Sequence, residues 1–258
     1  MSVLADQVYL LARRSVVRTA RQPANVIAPL VFPMLLLAVN SGGLKAETRL
    51  PGFPTTSFVA FALAVPFIQG ALFATMNAGT DLARDIQTGF LSRLSLTPMR
   101  GIALLAGQLG GAVVMGVVQA TVYLGVGLIV GVRLASGPAG VAVLFAFMIL
   151  ISLGFGALGA FAALRTGSGE AVQSLFPVFF VFLFLSSMNI PRNLIATTWF
   201  RDVATVNPVS YLLESVRSLV IIGWDAQALA LGFGIAGVIT VVALALASWA
   251  LRVRMART

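Results

Sequence analysis

Six long stretches without a charged side chain dominate this sequence of 258 residues. The shortest has 21 residues, and about 20 residues of α-helix cross the roughly 30 Å hydrocarbon core of a bilayer. Charged residues make up only 10% of the chain, whereas about 25% is usual for a soluble domain. The sequence therefore predicts an all-α integral membrane protein with six transmembrane helices, and it excludes a soluble enzyme, a secreted disulfide domain and a DNA-binding domain. The stretches are 22–44, 50–80, 101–132, 134–164, 171–191 and 226–251.

The residue types that are missing limit the chemistry of the chain. It has no Cys and no His, so it lacks thiolate nucleophiles and the commonest general base and metal ligand. Its only lysine, Lys45, does not stand in a Gly-x-x-x-x-Gly-Lys-[Ser/Thr] phosphate-binding loop. We therefore predict no catalytic residue, no metal site and no cofactor here, so any ATP that drives the protein binds another polypeptide.

The distribution of positive charge predicts the topology. The net charge is +9, and 11 of the 17 Lys and Arg residues fall on the side that carries both termini if six spans alternate in direction. Positive loops are retained on the cytoplasmic side, so both termini are predicted to be cytoplasmic. Such arginines indicate membrane lipid, not nucleic acid, as a partner. Arginine outnumbers lysine 16 to 1, which favours a GC-rich bacterial genome and hence the bacterial plasma membrane.

A single transmembrane domain is expected over residues 1–258. Arg14 and Arg18 share one face of an N-terminal helix that can lie on the membrane surface, although a simple positive flank would give the same pattern. Pro29 and Pro33 kink the first span if neighbouring helices bind the freed carbonyl groups. The expected segments are an interfacial helix at 1–22, transmembrane helices at 23–44, 57–79, 102–131, 139–164, 171–190 and 227–251, a cytoplasmic helix at 81–100 and outer re-entrant helices at 191–225.

Glycine and phenylalanine predict how the spans pack. Gly107 and Gly111, like Gly127 and Gly131, have the spacing that lets helix backbones approach closely. The fifth span has no glycine and is rich in phenylalanine. It is either a lipid-facing or core helix or an apolar wall toward a partner subunit or cargo.

The cytoplasmic connection 81–100 is not a plain loop. Thr80 or Asp81 can cap a helix, Gly89 allows a break and Pro98 forces a turn before the next span. A short amphipathic element at this place suits docking into a groove on a peripheral protein. A helix that rests on lipid headgroups is the alternative.

The outer connection 191–225 is too polar to span and too apolar to be a free loop. Asn207-Pro208 begins a helix in which Glu214 and Arg217 are spaced to form an ion pair. We expect two short helices that dip into the outer leaflet and return. They either gate an exit or are ordinary interfacial helices.

Both connections carry motifs that resemble the ABC-2 family of ABC-transporter permeases, most closely its daunorubicin-resistance (DrrB-type) branch. The run Asp85-Ile-Gln-Thr-Gly-Phe-Leu-Ser-Arg-Leu-Ser-Leu-Thr-Pro-Met-Arg100 resembles the cytoplasmic motif of that branch. Asn207-Pro-Val-Ser-Tyr-Leu-Leu-Glu-Ser-Val-Arg217 resembles the motif before its last span. Many members have Glu-x-Gly-Thr-(Leu/Ile)-Glu where this chain has Ile86-Gln-Thr-Gly-Phe-Leu, which leaves Asp81 and Asp85 as the only carboxylates for contact with an ATPase.

The resemblance implies a half-transporter with the fold of ABC-2, or type V, exporters. Two permease chains, identical or related, would pair with two ABC ATP-binding subunits that hold ATP and Mg²⁺. Their cargo would be hydrophobic or amphipathic, such as a drug, lipid, polyketide or glycolipid. Segment 81–100 would be the coupling helix and segment 191–225 the outer gate. The implied residues are Asp81, Arg84, Asp85, Gly89, Phe90, Arg93, Leu94, Pro98, Arg100, Arg14 and Arg18 for ATPase coupling, Asn207, Pro208, Tyr211, Glu214 and Arg217 for the outer gate, and Pro29, Pro33, Phe176, Phe179 and Phe180 for the pathway or dimer seam.

Other functions stay open at the level of sequence. An ion-coupled secondary transporter usually places ionisable residues at bilayer depth, and the six uncharged stretches contain none. A membrane-embedded enzyme would have to rely on Asp202, Ser210 and Glu214 without His or Cys. A membrane anchor without a transport role is the third alternative.

Overall fold

The computed structural model describes residues 3–95 and 101–256, and every regular element in those two ranges is a helix. The predicted all-α fold is therefore confirmed. Short 3₁₀-helices and one π-helical turn interrupt the outer connections. The α-helices are α1 (Val3–Ala20), α2 (Pro23–Gly43), α3 (Phe58–Ala62), α4 (Ala64–Gln87), α5 (Phe90–Ser95), α6 (Gly101–Ile129), α7 (Gly137–Thr166), α8 (Gly169–Gln173), α9 (Leu175–Phe184), α10 (Thr198–Val206), α11 (Pro208–Arg217) and α12 (Ala226–Met255), with 3₁₀-helices at Lys45–Arg49 and Arg192–Leu194 and the π-helical turn at Ser218–Ile222.

Five helices within the described ranges are long and apolar enough to cross a membrane. They cover Asn25–Gly43, Phe58–Gln87, Ala103–Ile129, Gly137–Thr166 and Ala226–Met255.

The structure differs from the prediction at the fifth span, residues 171–190. Here α8 and α9 together cover only Gly169–Phe184, which is about 24 Å of helix at 1.5 Å per residue. Helix α9 ends at Phe184 because a side chain from the outer connection binds the carbonyl groups at its C-terminal end. The side-chain amide of Asn207 donates to the carbonyl oxygens of Phe182 and Leu185, so the backbone turns back toward the outer connection.

Both prolines of α2 are accommodated by neighbouring helices. Pro29 and Pro33 have no N–H, which frees the carbonyl groups four residues earlier, at Asn25 and Pro29. Asn77 of α4 donates its side-chain amide to the first, at 3.1 Å, and the hydroxyl of Tyr123 on α6 donates to the second. The condition set for a proline kink, that neighbouring helices bind the freed carbonyl groups, is thus met, and α2 is helical from Pro23 to Gly43.

Helix α4 lies at the centre of the bundle, because 83% of the apolar stretch in its span, Phe58–Gln87, is buried. Its contact with α7 is backbone against backbone. A Cβ atom on Gly79 would lie 2.8 Å from the carbonyl oxygen of Gly159, and a Cβ atom on Gly159 would overlap the carbonyl oxygen of Thr75. Only glycine fits at these two positions without a shift of the helices.

The glycine pair on α6 seats the N-terminal helix. A Cβ atom on Gly107 would overlap Leu11, and one on Gly111 would overlap Ser15, both residues of α1. Close backbone approach therefore occurs at this predicted pair, and it brings α1 against a spanning helix. Ser15 also donates its hydroxyl to the carbonyl oxygen of Gln108, at 3.2 Å.

Different segments of the chain meet at the two ends of the helix bundle. At the terminal face, as we name it, ion pairs join α1 to the end of α4, and Arg254 near the end of α12 donates to the carbonyl oxygen of Leu164 on α7 at 2.7 Å. At the opposite distal face, the segment before α7 contacts the π-helical turn, with Ser136 donating to the carbonyl oxygen of Leu219 at 2.8 Å. The predicted coupling residues that the structure describes lie at the first end, and the predicted gate residues lie at the second.

Candidate coupling and gate sites at the two ends of the bundle

An ion-pair cluster on the terminal face joins α1 to the end of α4. Two nitrogens of Arg14 donate to the two carboxylate oxygens of Asp85, at 2.8 and 2.9 Å. Arg18 donates to the same carboxylate at 2.8 Å and lies 3.2 Å from a carboxylate oxygen of Asp81. We call these four residues the terminal latch. Because it joins residues 71 positions apart, the latch fixes the N-terminal helix on the transmembrane bundle.

The terminal latch is partly buried and includes an aromatic contact. Both carboxylates are buried, whereas the Arg14 side chain is 38% exposed. The guanidinium of Arg14 also lies 3.9 Å from the ring centroid of Phe90, so α5 joins the same cluster through a cation–π contact. The hydrogen bond to Asp85 raises the pKa of Arg14, although burial acts in the opposite direction. Arg14 therefore stays charged, and α1, α4 and α5 are held together.

The structure differs from the expectation of a separate helix that begins at Thr80 or Asp81 in the segment 81–100. Helix α4 continues past Thr80, whose hydroxyl donates to the carbonyl oxygen of Met76, so no helix is capped there. Gly89, with φ of +69°, separates α4 from α5, as a break at glycine predicts. Arg84 and Arg93 are exposed on either side of this break. The connection is thus the last two turns of a span followed by a short second helix.

The terminal latch changes the expected role of the acidic residues. Asp81 and Asp85, the carboxylates expected to contact an ATPase, are buried and engaged by α1. The side chain of Leu94 lies outside the described residues, as do Pro98 and Arg100. The exposed charges of this connection are therefore arginines.

At the distal face, Asn207 ties the outer connection to α9. Its amide nitrogen donates to the carbonyl oxygens of Phe182, at 2.6 Å, and Leu185, at 3.0 Å. Its side-chain oxygen accepts from the backbone N–H of Val209 at 2.9 Å and so caps α11, whose first residue is Pro208. One buried side chain thus ends one helix and begins another.

Arg217 also connects the outer connection to the end of the fifth span. It is 5% exposed and donates to three carbonyl oxygens: Phe61 at 3.1 Å, Ser187 at 2.6 Å and Met188 at 2.6 Å. Its guanidinium also lies 3.6 Å from the ring centroid of Phe61. Burial lowers the pKa of Arg217 to about 9, and the nearby Glu214 acts in the opposite direction. Arg217 therefore joins the start of the second span, the turn after α9 and the end of α11.

The predicted ion pair between Glu214 and Arg217 is wrong. Glu214 instead pairs with Arg192, 2.5 Å away, because the buried Arg217 turns inward to backbone carbonyl groups. Arg192 also lies 4.3 Å from the ring centroid of Tyr211, whose hydroxyl donates to the carbonyl oxygen of Thr205 at 2.8 Å. All five predicted gate residues thus lie at the distal face, where Tyr211 and Glu214 share Arg192 while Asn207 and Arg217 bind backbone carbonyl groups.

The expected pathway residues pack inside this chain. Phe176 contacts Phe73 of α4, with ring centroids 5.4 Å apart, and Phe180 contacts Phe32 of α2 at 6.1 Å. Phe179 packs against α7, and Pro29 and Pro33 are buried. The exposed apolar surface of α2 and α9 includes other residues: Ile27, Val31, Leu35 and Val39 at four-residue spacing, Phe32, and Val178, Val181, Phe182 and Phe184.

A family model described as ABC-2 type transporter matches residues 6–221, which include all of the terminal latch and all five predicted gate residues. This chain belongs to the ABC-2 transporter family. It is therefore a multi-pass membrane subunit of a transporter. The resemblance inferred from the two motifs is confirmed.

Named relatives agree with the ABC-2 assignment. The chain is 29% identical over 202 residues to the daunorubicin resistance ABC transporter permease protein DrrB1 of Streptomyces coeruleorubidus. The aligned region covers 75% of this chain and 66% of that protein, just under two thirds of its length. It is 25% identical to the probable doxorubicin resistance ABC transporter permease protein DrrC of Mycobacterium tuberculosis, over 82% of this chain and 75% of the relative. A putative transport permease, ycf38 of Cyanophora paradoxa, is 23% identical over 83% of this chain and 74% of its own length.

Several residues of these ABC-2 sites escape detection from sequence. Phe61, Ser187 and Met188 take part through backbone carbonyl groups, which carry no residue-specific signal. Arg192 and Tyr123 act over long separations, so no local spacing marks them. An arginine in an apolar segment, such as Arg217, was the one available indication that buried acceptors lie nearby.

Proposed function

We propose that this chain is the transmembrane subunit of an ATP-driven exporter. It pairs with a second permease chain, identical or related, and with two separate ABC ATP-binding subunits that bind ATP and Mg²⁺. The observation that carries this proposal is the terminal latch. Its short ion pairs join α1 to α4, the most buried span, and the contact of Arg14 with the Phe90 ring adds α5, so a movement of either small helix is transmitted to the centre of the bundle.

The ATPase contact is proposed to run through the exposed arginines of the connection. Arg84 and Arg93 are exposed, whereas Asp81 and Asp85 are engaged with α1. An ATP-binding subunit that fits here presents an acidic groove. In this arrangement the arginine-rich terminal face is cytoplasmic, in keeping with the positive-inside rule, and the membrane is the bacterial plasma membrane.

The cargo is proposed to be hydrophobic or amphipathic. Two relatives are named for resistance to daunorubicin or doxorubicin, which supports a drug-like or lipid-like cargo. The exposed apolar residues of α2, such as Ile27, Val31 and Leu35, together with the exposed side of α9, offer a surface for the second permease chain or for such a cargo.

Transport in everted membrane vesicles tests the function. The vesicles contain this chain and the ABC ATPase encoded nearest its gene, and daunorubicin fluorescence reports accumulation. ATP-dependent accumulation that persists with a protonophore is expected. Accumulation that needs a proton gradient and no ATPase would establish a secondary transporter instead.

A further inference from the structure

A pocket of about 510 Å³ opens at the distal face between the outer connection and the start of α12. Its wall carries three arginines, Arg192, Arg201 and Arg217, and two carboxylates, Glu214 and Asp225. Five charged side chains in one pocket are notable in a chain with only 10% charged residues.

The two carboxylates of this distal pocket are already engaged. Glu214 pairs with Arg192. One oxygen of Asp225 accepts from the backbone N–H groups of Gln227 and Ala228, at 3.0 and 3.1 Å, and so caps α12. A capping carboxylate is stabilised by the helix it begins, and its charge offsets the positive end of that helix.

Two arginines of the distal pocket, by contrast, form no ion pair with a described carboxylate. No carboxylate within residues 3–95 and 101–256 lies within 4.0 Å of Arg217 or Arg201. Arg217 is also buried, and it donates to neutral groups: the carbonyl oxygens of Phe61, Ser187 and Met188, and at 3.5 Å the Ser187 hydroxyl. Burying an unpaired cation is costly, so a negative ligand in the pocket stabilises it.

We propose that the distal pocket binds a phosphate-type oxyanion between Arg217 and Arg201. The planar guanidinium suits tetrahedral oxyanions because it donates two parallel hydrogen bonds. Thr205 and Asn193 add polar groups to the wall, while Phe61 and Ile221 provide an apolar side. The ligand is thus an oxyanion that carries or adjoins an apolar group: the headgroup of an acidic phospholipid of the outer leaflet, or free phosphate. This inference does not depend on coupling to an ATPase.

A binding experiment on the full-length chain in a nonionic detergent tests the proposal. Radiolabelled inorganic phosphate and radiolabelled dihexanoyl-phosphatidylglycerol are the probes, and scintillation proximity reports the bound amount. Saturable binding of either supports the site, and the probe that binds tells whether free phosphate or a lipid headgroup is the source. Absence of saturable binding of both probes overturns it.

Arginine variants then locate the binding. Arg201 is exposed, so Arg201→Gln is expected to fold normally and to weaken binding about tenfold, as the loss of one charge-assisted hydrogen bond predicts. Arg133→Gln is the matched control, because Arg133 is exposed outside the pocket. Equal weakening by both variants, or no weakening by Arg201→Gln, contradicts the proposed site. The result stands even if Arg217→Gln does not fold.

Discussion

Asp85 accepts hydrogen bonds from both terminal nitrogens of Arg14, at 2.8 and 2.9 Å, although the two residues are 71 positions apart. One carboxylate thereby connects the helix that precedes the first span to the end of the central span. Arg18 binds the same carboxylate, so the connection does not depend on one arginine alone. Helix α1, part of the proposed coupling element, is thus already joined to the bundle within a single chain.

Asp85→Asn should weaken the terminal latch. The amide keeps the shape but removes the negative charge that Arg14 and Arg18 share. We expect a loss of about 2 kcal/mol in unfolding free energy, less than for a fully buried pair because Arg14 is partly exposed. Thermal unfolding in detergent measures it. Glu170→Gln, which removes an exposed carboxylate, should leave the midpoint unchanged, and an equal effect of both would contradict the latch.

Tyr123→Phe should leave the carbonyl group of Pro29 without a partner. We expect a cost of about 1–2 kcal/mol in unfolding free energy. In a Pro33→Ala background the restored backbone N–H binds the same carbonyl group, so the cost should fall below about 0.5 kcal/mol. Additive effects of the two substitutions would argue against this role. Tyr9→Phe, at an exposed position, serves as the control.

Gly159→Ala should force α4 and α7 apart. The new methyl group would overlap the carbonyl oxygen of Thr75, and backbone cannot move aside as a flexible side chain can. Overpacking of this kind costs about 1–3 kcal/mol, visible as a lower unfolding midpoint. Gly234→Ala, where nothing lies within 4 Å, should be neutral or slightly stabilising. A neutral Gly159→Ala would show that the contact is looser than described.

Asn207→Ala should loosen the turn between α9 and α11. It removes the helix cap and leaves the carbonyl groups of Phe182 and Leu185 unbound. The natural chain has no cysteine, so a single Ser186→Cys can report on exposure through its maleimide labelling rate. Ser186 is 3% exposed, and we expect labelling to become at least several-fold faster with Asn207→Ala. Asn193→Ala, at an exposed position, should not change it.

Local sequence patterns predict much of this fold and part of its sites. The uncharged stretches can be read directly from the sequence because a bilayer core excludes charged side chains. Asn207-Pro208 predicts a helix start because a helix cap depends only on neighbouring residues. The end of the fifth span is different. It depends on Asn207 and Arg217, which bind its carbonyl groups from more than twenty residues away. The pairing of Glu214 with Arg192 could not be predicted either, because residue spacing along one helix gives no information about partners from another segment.

Co-purification with the ABC ATPase encoded nearest the gene tests the central claim most directly. The wild-type chain and an Arg84→Glu, Arg93→Glu variant are each expressed with that ATPase and isolated in detergent through a tag on the permease. We predict an equimolar complex with the wild type and loss of the ATPase from the variant, with membrane insertion unchanged. Absence of the ATPase from the wild-type preparation, or its undiminished binding to the variant, would contradict the account.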